Sequence, residues 1–223
     1  MNLLLNGCSF MDNYYYSEHF ARELEATTVN IAKPGSSNRR IIRTTVDYTR
    51  KNPVDFVVLG LTFYDRQEGP FLTIPKSGLE GHWVSYNSQG FQGSFVSVND
   101  FDSSVEYQMA DNYVKSRYRF DINSSYLEQL YLDLTLLAAY FRHNHIGFCI
   151  FNTCDRHHHN VDLGPEFVPF DFVGNEYLAQ MGCQCHEKDT ELPPNARHHY
   201  GRDVKILVDY IIEHIRRNSL LSS

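Results

Sequence analysis

The residue near the start of the chain that could carry out chemistry is Ser9, which follows an apolar run at residues 3–5 and the pair Gly7-Cys8. A helical pattern begins at about Ser17. An apolar strand, a glycine-containing turn and a helix are typical of a central strand of an α/β sheet, and open sheets bind their ligands at the carboxyl edge. The helix would direct free backbone N–H groups towards that edge. Ser9 is therefore either a nucleophile at a ligand site or, as serines at such turns often are, a residue that caps or lines the turn.

Two more polar loops and a pair of histidines fall where they could meet Ser9. Gly35 follows a β-branched run, and Thr62 follows a nearly continuous apolar run. His198 and His199 come just before the final helical pattern. Strands joined by helical crossovers form a parallel sheet, and their carboxyl ends share one edge. A hydroxyl, an imidazole and loops of small residues at that edge are the groups that a serine hydrolase requires.

In this order along the whole chain, the short motifs resemble those of the SGNH (GDSL-like) hydrolase superfamily. Gly7-Cys8-Ser9 stands at the family's Gly-Asp-Ser block, with Cys8 in place of Asp, and the resemblance implies that Ser9 is the nucleophile. Gly35, within KPGSSN, matches the block whose glycine N–H helps to form the oxyanion hole. Asn38 is close enough in sequence to add polar contacts there. The NGCS and PGSSN pattern is similar to that of some phage-encoded members, which would fit a viral origin.

The third block departs from the family pattern. The family has Gly-x-Asn-Asp, whose Asn donates to the oxyanion, whereas this chain places Thr62 at the Asn position. The loss of one such donor can lower a hydrolase's rate by about a hundredfold or more. Arg66, with Tyr64 and Asp65 before it, is a candidate pocket residue, although a surface ion pair explains it equally well.

The last block, Asp-x-x-His in the family, is matched by residues 195–201 without its Asp. His199 would be the base, or His198, which lies three residues after Asn195. The imidazole would then work in a dyad, or be oriented by a backbone carbonyl or by an acid such as Asp189 or Glu191.

The resemblance implies a serine esterase that needs no cofactor. His199 would take the Ser9 proton, the hydroxyl would attack an ester carbonyl, and the N–H groups of Ser9 and Gly35 would hold the oxyanion. The expected substrate is a small acyl ester, such as acetate on a carbohydrate. Two alternatives stay open: a catalytically weakened module that binds a glycan or a protein, and an assembly protein whose tyrosine-rich insertion makes an oligomer contact.

The order of strand and helix patterns that must position these residues predicts a flavodoxin-like three-layer α/β/α sandwich with a parallel central sheet. We expect it to form a single domain over residues 1–223. An insertion of hairpin and loop, at about 67–123, follows the third strand and contains no long amphipathic helix before Ser124. Residues 153–201 are predicted to be long and irregular. Helices are predicted at 17–26, 39–51, 124–143 and 202–217, and strands at 3–5, 27–32, 54–61 and 146–152.

Composition limits the classes of partner. At 223 residues and 42% hydrophobic content, the chain can bury the core of one domain. A net charge of −7 argues against a broad nucleic-acid surface. No apolar run could cross a bilayer and no basic region precedes the first strand, so we expect a cytoplasmic protein without membrane contact. The oligomeric state is left open.

No metal is predicted at the Ser9 site. Five scattered cysteines make a poor disulfide framework. Consecutive histidines at 157–159 point in different directions along an extended segment, which favours a solvated loop over a metal site. Cys183, Cys185 and His186 suit zinc better, but they lack a second ligand pair at a recognisable spacing.

Overall fold

A five-stranded parallel sheet forms the centre of this computed structural model, which describes residues 1–9, 11–12, 14–62, 66–70, 83–86, 101–120, 123–153, 164–171 and 202–222. The spatial order of its strands is β2-β1-β3-β6-β7. This is the flavodoxin-like order, so the predicted fold class is confirmed. A separate antiparallel hairpin pairs β4 with β5. The strands are β1 (Asn2–Gly7), β2 (Thr27–Asn30), β3 (Phe56–Leu61), β4 (Gln67–Pro70), β5 (Trp83–Tyr86), β6 (Gly147–Asn152) and β7 (Phe167–Asp171).

Helices cover both faces of the sheet. They are α1 (Tyr14–Glu23), α2 (Asn38–Thr49), α3 (Ser104–Phe120), α4 (Asn123–His143) and α5 (Arg202–Arg217), followed by a short 3-10 helix (Leu220–Ser222). Phe20 of α1 and Ile211 of α5 are buried in the core on one face, whereas Ile41 of α2 and Leu134 of α4 are buried in the core on the other. No described helix combines the length and the apolar character needed to span a bilayer.

The central strands are apolar on both faces because each face is covered. In β1, Leu3 and Leu5 enter the core beside α1 and α5, while Leu4 enters the core beside α2 and α4. Alternate residues of a strand point to opposite faces, so a strand buried on both has a continuous apolar sequence. This pattern is the reason why β1, β3 and β6 could be predicted from the sequence.

The predicted helices agree with the structure to within a few residues. The first begins at Tyr14 rather than Ser17. The second begins at Asn38, after the N-cap Ser37, whose hydroxyl accepts a hydrogen bond from the Arg40 N–H at 3.1 Å. The helices predicted at 124–143 and 202–217 match α4 and α5.

The segment predicted as hairpin and loop, with no long amphipathic helix before Ser124, contains the 17-residue helix α3. Val105, Met109 and Tyr113 of this helix are exposed, so its apolar residues do not form the single buried face that identifies an amphipathic helix in a sequence. A usable signal lies at its start, where the Glu106 N–H donates to the Ser103 hydroxyl at 3.1 Å, as in a Ser-x-x-Glu capping box. The predicted hairpin is present as β4 and β5, and the short run predicted at 93–98 lies outside the described residues.

The segment predicted to be irregular contributes the fifth strand of the sheet. β7 pairs in parallel with β6, and Ile150 lies opposite Phe167. Pro169 falls within β7, and proline argues against a strand in a sequence because it cannot donate to the ladder. The proline is tolerated because β7 is an edge strand.

Candidate active site

The turn that carries Ser9 is packed directly onto a pair of glycines in the sheet. Gly7 at the end of β1 lies opposite Gly60 of β3, and the buried Met11 side chain lies over both. A Cβ atom added to Gly7 would be 2.5 Å from Met11 Cγ, and one added to Gly60 would be 2.6 Å from the same atom. The Cys8 carbonyl closes the turn by accepting hydrogen bonds from the N–H groups of Met11, at 2.9 Å, and Asp12, at 3.1 Å. Because Gly7 and Gly60 have no side chains, the turn can lie close to the ends of β1 and β3.

Ser9 is the residue of this turn whose side chain is available for chemistry. It is half-buried, whereas Cys8 is only 1% exposed. The Cys8 thiol lies 3.7 Å from the Thr153 hydroxyl, which itself donates to the Leu61 carbonyl. Within the described part of the chain, the Ser9 hydroxyl takes part in no hydrogen bond. The turn therefore offers a hydroxyl at the carboxyl edge and keeps the neighbouring thiol in the interior.

The loop after β2 lies beside this turn. The Lys33 N–H donates to the Gly7 carbonyl at 3.2 Å. Gly35 has a φ of 70°, a left-handed conformation that favours glycine. The Ser36 hydroxyl donates back to the Lys33 carbonyl at 2.6 Å. Hydrogen bonds within the loop and to the end of β1 thus stabilise the conformation of the Gly35 loop, and the role of the Gly35 amide in an oxyanion hole stays a prediction.

Asn38 joins this loop to the end of β3. Its Oδ1 accepts the Thr62 N–H at 2.8 Å, and its Nδ2 donates to the Thr62 carbonyl at 3.0 Å. Both residues are buried, with Asn38 at 4% and Thr62 at 0% exposure. Asn38 is therefore a positioning residue for the segment after β3, and its predicted contact with substrate stays a prediction.

Arg66 connects the loop after β2 with the end of β3. Its Nη1 donates to the Ser36 carbonyl at 3.4 Å and to the Thr62 hydroxyl at 3.3 Å. Arg40 donates to the Ser36 hydroxyl at 2.9 Å and is 8% exposed. Two guanidinium groups therefore hold the Ser36 segment that precedes α2.

Asn6 is a positioning residue that sequence analysis missed. Its Oδ1 accepts the Gly7 N–H at 2.8 Å, and its Nδ2 lies 2.9 Å from the Ile41 carbonyl and 2.9 and 2.8 Å from the hydroxyls of Thr44 and Thr45. These contacts tie the end of β1 to α2. The available signal was an amide at the end of an otherwise apolar strand, which has to find partners when it is buried.

The structure thus brings Ser9, Gly35, Asn38, Thr62 and Arg66 to one edge of the sheet, and their catalytic and binding roles stay predictions. His198 and His199 lie outside the described residues, as do Tyr64, Asp65 and the acids considered as partners of the base. The cysteines and histidines weighed for zinc, at 157–159 and 183–186, also lie outside them.

Cys149 is a second thiol in the sheet, but it has no part in such chemistry. It is completely buried in β6, and this burial raises the pKa of its thiol far above the ordinary value. A neutral, enclosed thiol is a poor nucleophile. Within the described chain, Ser9 is therefore the better candidate.

Comparisons with known proteins do not assign the chain to a family. No family model matches the chain. No curated protein matches it. The chain is similar to the crystal structure of a predicted GDSL-like lipase from Parabacteroides merdae, at 12% sequence identity and a TM-score of 0.44, over 98% of this chain and 95% of that chain. Both values are low, and they assign no function to this chain.

Proposed function

We propose that the protein is a serine ester hydrolase of the SGNH type, with Ser9 as its nucleophile. The observation that carries the proposal is the half-buried Ser9 hydroxyl at the carboxyl end of a central strand, next to a loop in which Gly35 has a φ of 70°. Ligand sites of open α/β sheets lie at this edge. The buried Cys8 and Cys149 thiols leave the hydroxyl as the better candidate among the described nucleophiles.

The reaction would proceed through an acyl-enzyme. The Ser9 oxygen attacks the ester carbonyl while its proton passes to His199 or His198, the tetrahedral intermediate expels the alcohol, and water then releases the acid. Backbone N–H groups of Ser9 and Gly35 stabilise the oxyanion.

The third oxyanion donor of the family is altered in this chain. Thr62 is fully buried and its hydroxyl accepts a hydrogen bond from Arg66. Asn38 uses both of its polar atoms on the Thr62 backbone. We therefore expect two backbone donors to carry most of the stabilisation. The resemblance to SGNH hydrolases and the aromatic-rich insertion suggest a small acyl ester, such as acetate on a carbohydrate, as the substrate.

Hydrolysis of p-nitrophenyl acetate tests the proposal. Ser9→Ala is expected to lower kcat/KM by at least about a hundredfold, because the nucleophile is removed. Ser104→Ala, at an exposed position at the start of α3, is the matched control and should retain the wild-type rate. His198→Ala and His199→Ala, measured separately, should identify the base by a loss of similar size in one of them.

A fluorophosphonate probe gives a second readout that does not depend on turnover. Its phosphorus should bond to the Ser9 oxygen with loss of fluoride, and mass spectrometry of the labelled peptide should locate the adduct. Equal esterase rates for wild type and Ser9→Ala, with no adduct at Ser9, would exclude the hydrolase and leave the ligand-binding module as the function of this edge.

A further inference from the structure

A cluster of metal-ligating side chains lies away from Ser9, between α1 and α5. His19 and Glu23 are one helical turn apart on α1, and Asp209 extends from α5, which packs against α1. One ligand atom from each residue lies within 4.8 Å of the other two. Residues at positions i and i+4 share a helix face, so the two α1 side chains reach the same point from one side and Asp209 reaches it from the other.

The spacing of His19 and Asp209 fits two ligands of one cation. His19 Nε2 and Asp209 Oδ1 are 3.3 Å apart, which is longer than an ordinary N–H···O hydrogen bond. Ligand atoms at zinc distances in a tetrahedral site are separated by about 3.3 Å. One imidazole and two carboxylates, with water in the fourth position, form a ligand set that zinc accepts.

The side chain of Arg22 shows that the cluster attracts positive charge. Its Nη2 lies 2.7 Å from His19 Nδ1 and 3.2 Å from Glu23 Oε1. A guanidinium has only donors, so these contacts place a positive charge beside the His19 ring and the Glu23 carboxylate. Lys205 makes a further ion pair with Asp209.

We propose that His19, Glu23 and Asp209 form a binding site for a divalent cation of the zinc class, which displaces Arg22 and joins α1 to α5. The displacement costs little because the Arg22 and Lys205 side chains are 58% and 56% exposed, and exposed ion pairs add little to stability. The site includes none of the residues assigned to ester hydrolysis. It does not depend on the proposed enzymatic function.

Titration calorimetry of the full chain with zinc chloride tests the site. His19→Gln and Asp209→Asn are each expected to weaken one zinc-binding event by at least about tenfold. Glu213→Gln is the matched control, because Glu213 lies one turn further along α5, pairs with Arg217 and carries the same charge outside the cluster. It should bind zinc as the wild type does. Zinc should also raise the Tm of the wild type more than that of Asp209→Asn.

Arg22→Gln keeps the test decisive if His19→Gln does not fold, because the Arg22 side chain is exposed. Removal of the internal cation should tighten zinc binding relative to the wild type. The site is excluded by any of three outcomes: no zinc binding by the wild type, equal affinity in wild type and Asp209→Asn, or an equal loss in Glu213→Gln. Zinc binding that disappears in Cys183→Ser and persists in Asp209→Asn would also exclude it, and would place the metal at the cysteines.

Discussion

At the scale of single residues, Asn38 shows how a side chain expected at a substrate can instead hold the protein backbone. Its two hydrogen bonds to Thr62 join the start of α2 to the loop after β3. Asn38 is buried, so water does not easily replace a hydrogen bond that is lost. We infer that Asn38 acts on any reaction through the position of Thr62.

Asn38→Ala is expected to lower the free energy of unfolding by about 2–3 kcal/mol, because both polar groups of the Thr62 backbone lose their partner in the interior. Asn38→Asp should be at least as destabilising at neutral pH, because a carboxylate accepts the Thr62 N–H but repels the Thr62 carbonyl. Urea unfolding measures both effects. Asn52→Ala removes a single exposed hydrogen bond to the Tyr48 carbonyl and should cost less than about 0.5 kcal/mol. Equal effects at positions 38 and 52 would contradict the positioning role.

At the scale of elements, the contact between the Ser9 turn and the sheet depends on the absence of side chains at Gly7 and Gly60. The Met11 side chain fills the space above both glycines and is 0% exposed. A Cβ on Gly60 would also lie 3.0 Å from Thr153 Cγ2, whereas one on Gly7 would lie 2.9 Å from the backbone oxygen of Gly60. Side chains can move more readily than strand backbone, so the two glycines differ in how well a substitution can be relieved.

Gly60→Ala is expected to destabilise the protein by about 1–3 kcal/mol through overpacking against Met11. Met11→Ala removes the side chain responsible, so the double variant should lose less stability than the sum of the two single variants. A double-mutant cycle in urea measures this coupling. The cycle with Gly7→Ala is the comparison, and its rescue should be smaller because the Gly60 oxygen remains. Strict additivity in the Gly60 cycle would show that Met11 is not the limiting contact.

At the scale of the whole molecule, one sheet separates two apolar cores. Ile211 of α5 belongs to the core that includes α1, and Leu134 of α4 belongs to the core that includes α2. Both side chains are almost completely buried. The cores share the backbone of the central strands but few side-chain neighbours, because alternate strand residues enter opposite cores.

Ile211→Ala and Leu134→Ala are each expected to cost about 2–5 kcal/mol, the usual range for truncation of a buried aliphatic side chain. The double variant should lose the sum to within about 0.5 kcal/mol, because the described core residues around the two sites lie on opposite faces of the sheet. Chemical unfolding followed by far-UV circular dichroism measures all three variants. Coupling above about 1 kcal/mol would show that the sheet transmits strain between its faces.

The sequence by itself determined the elements whose signal is local. Continuous apolar runs predicted β3 and β6, and periodic apolar faces predicted α2, α4 and α5. The position of Ser9 after β1 followed from the same patterns, because a strand, a glycine turn and a helix occupy adjacent stretches of chain.

Only the tertiary structure decided features that depend on distant partners. Pro169 is tolerated because β7 is the edge strand of the sheet among the described residues, and Asn38 pairs with the Thr62 backbone because two loops meet after the chain has folded. The packing of Met11 on the two glycines and the approach of Asp209 to His19 arise in the same way. Each of these contacts joins separate elements, and periodicity within a single segment carries no information about which residues the fold brings to its surface.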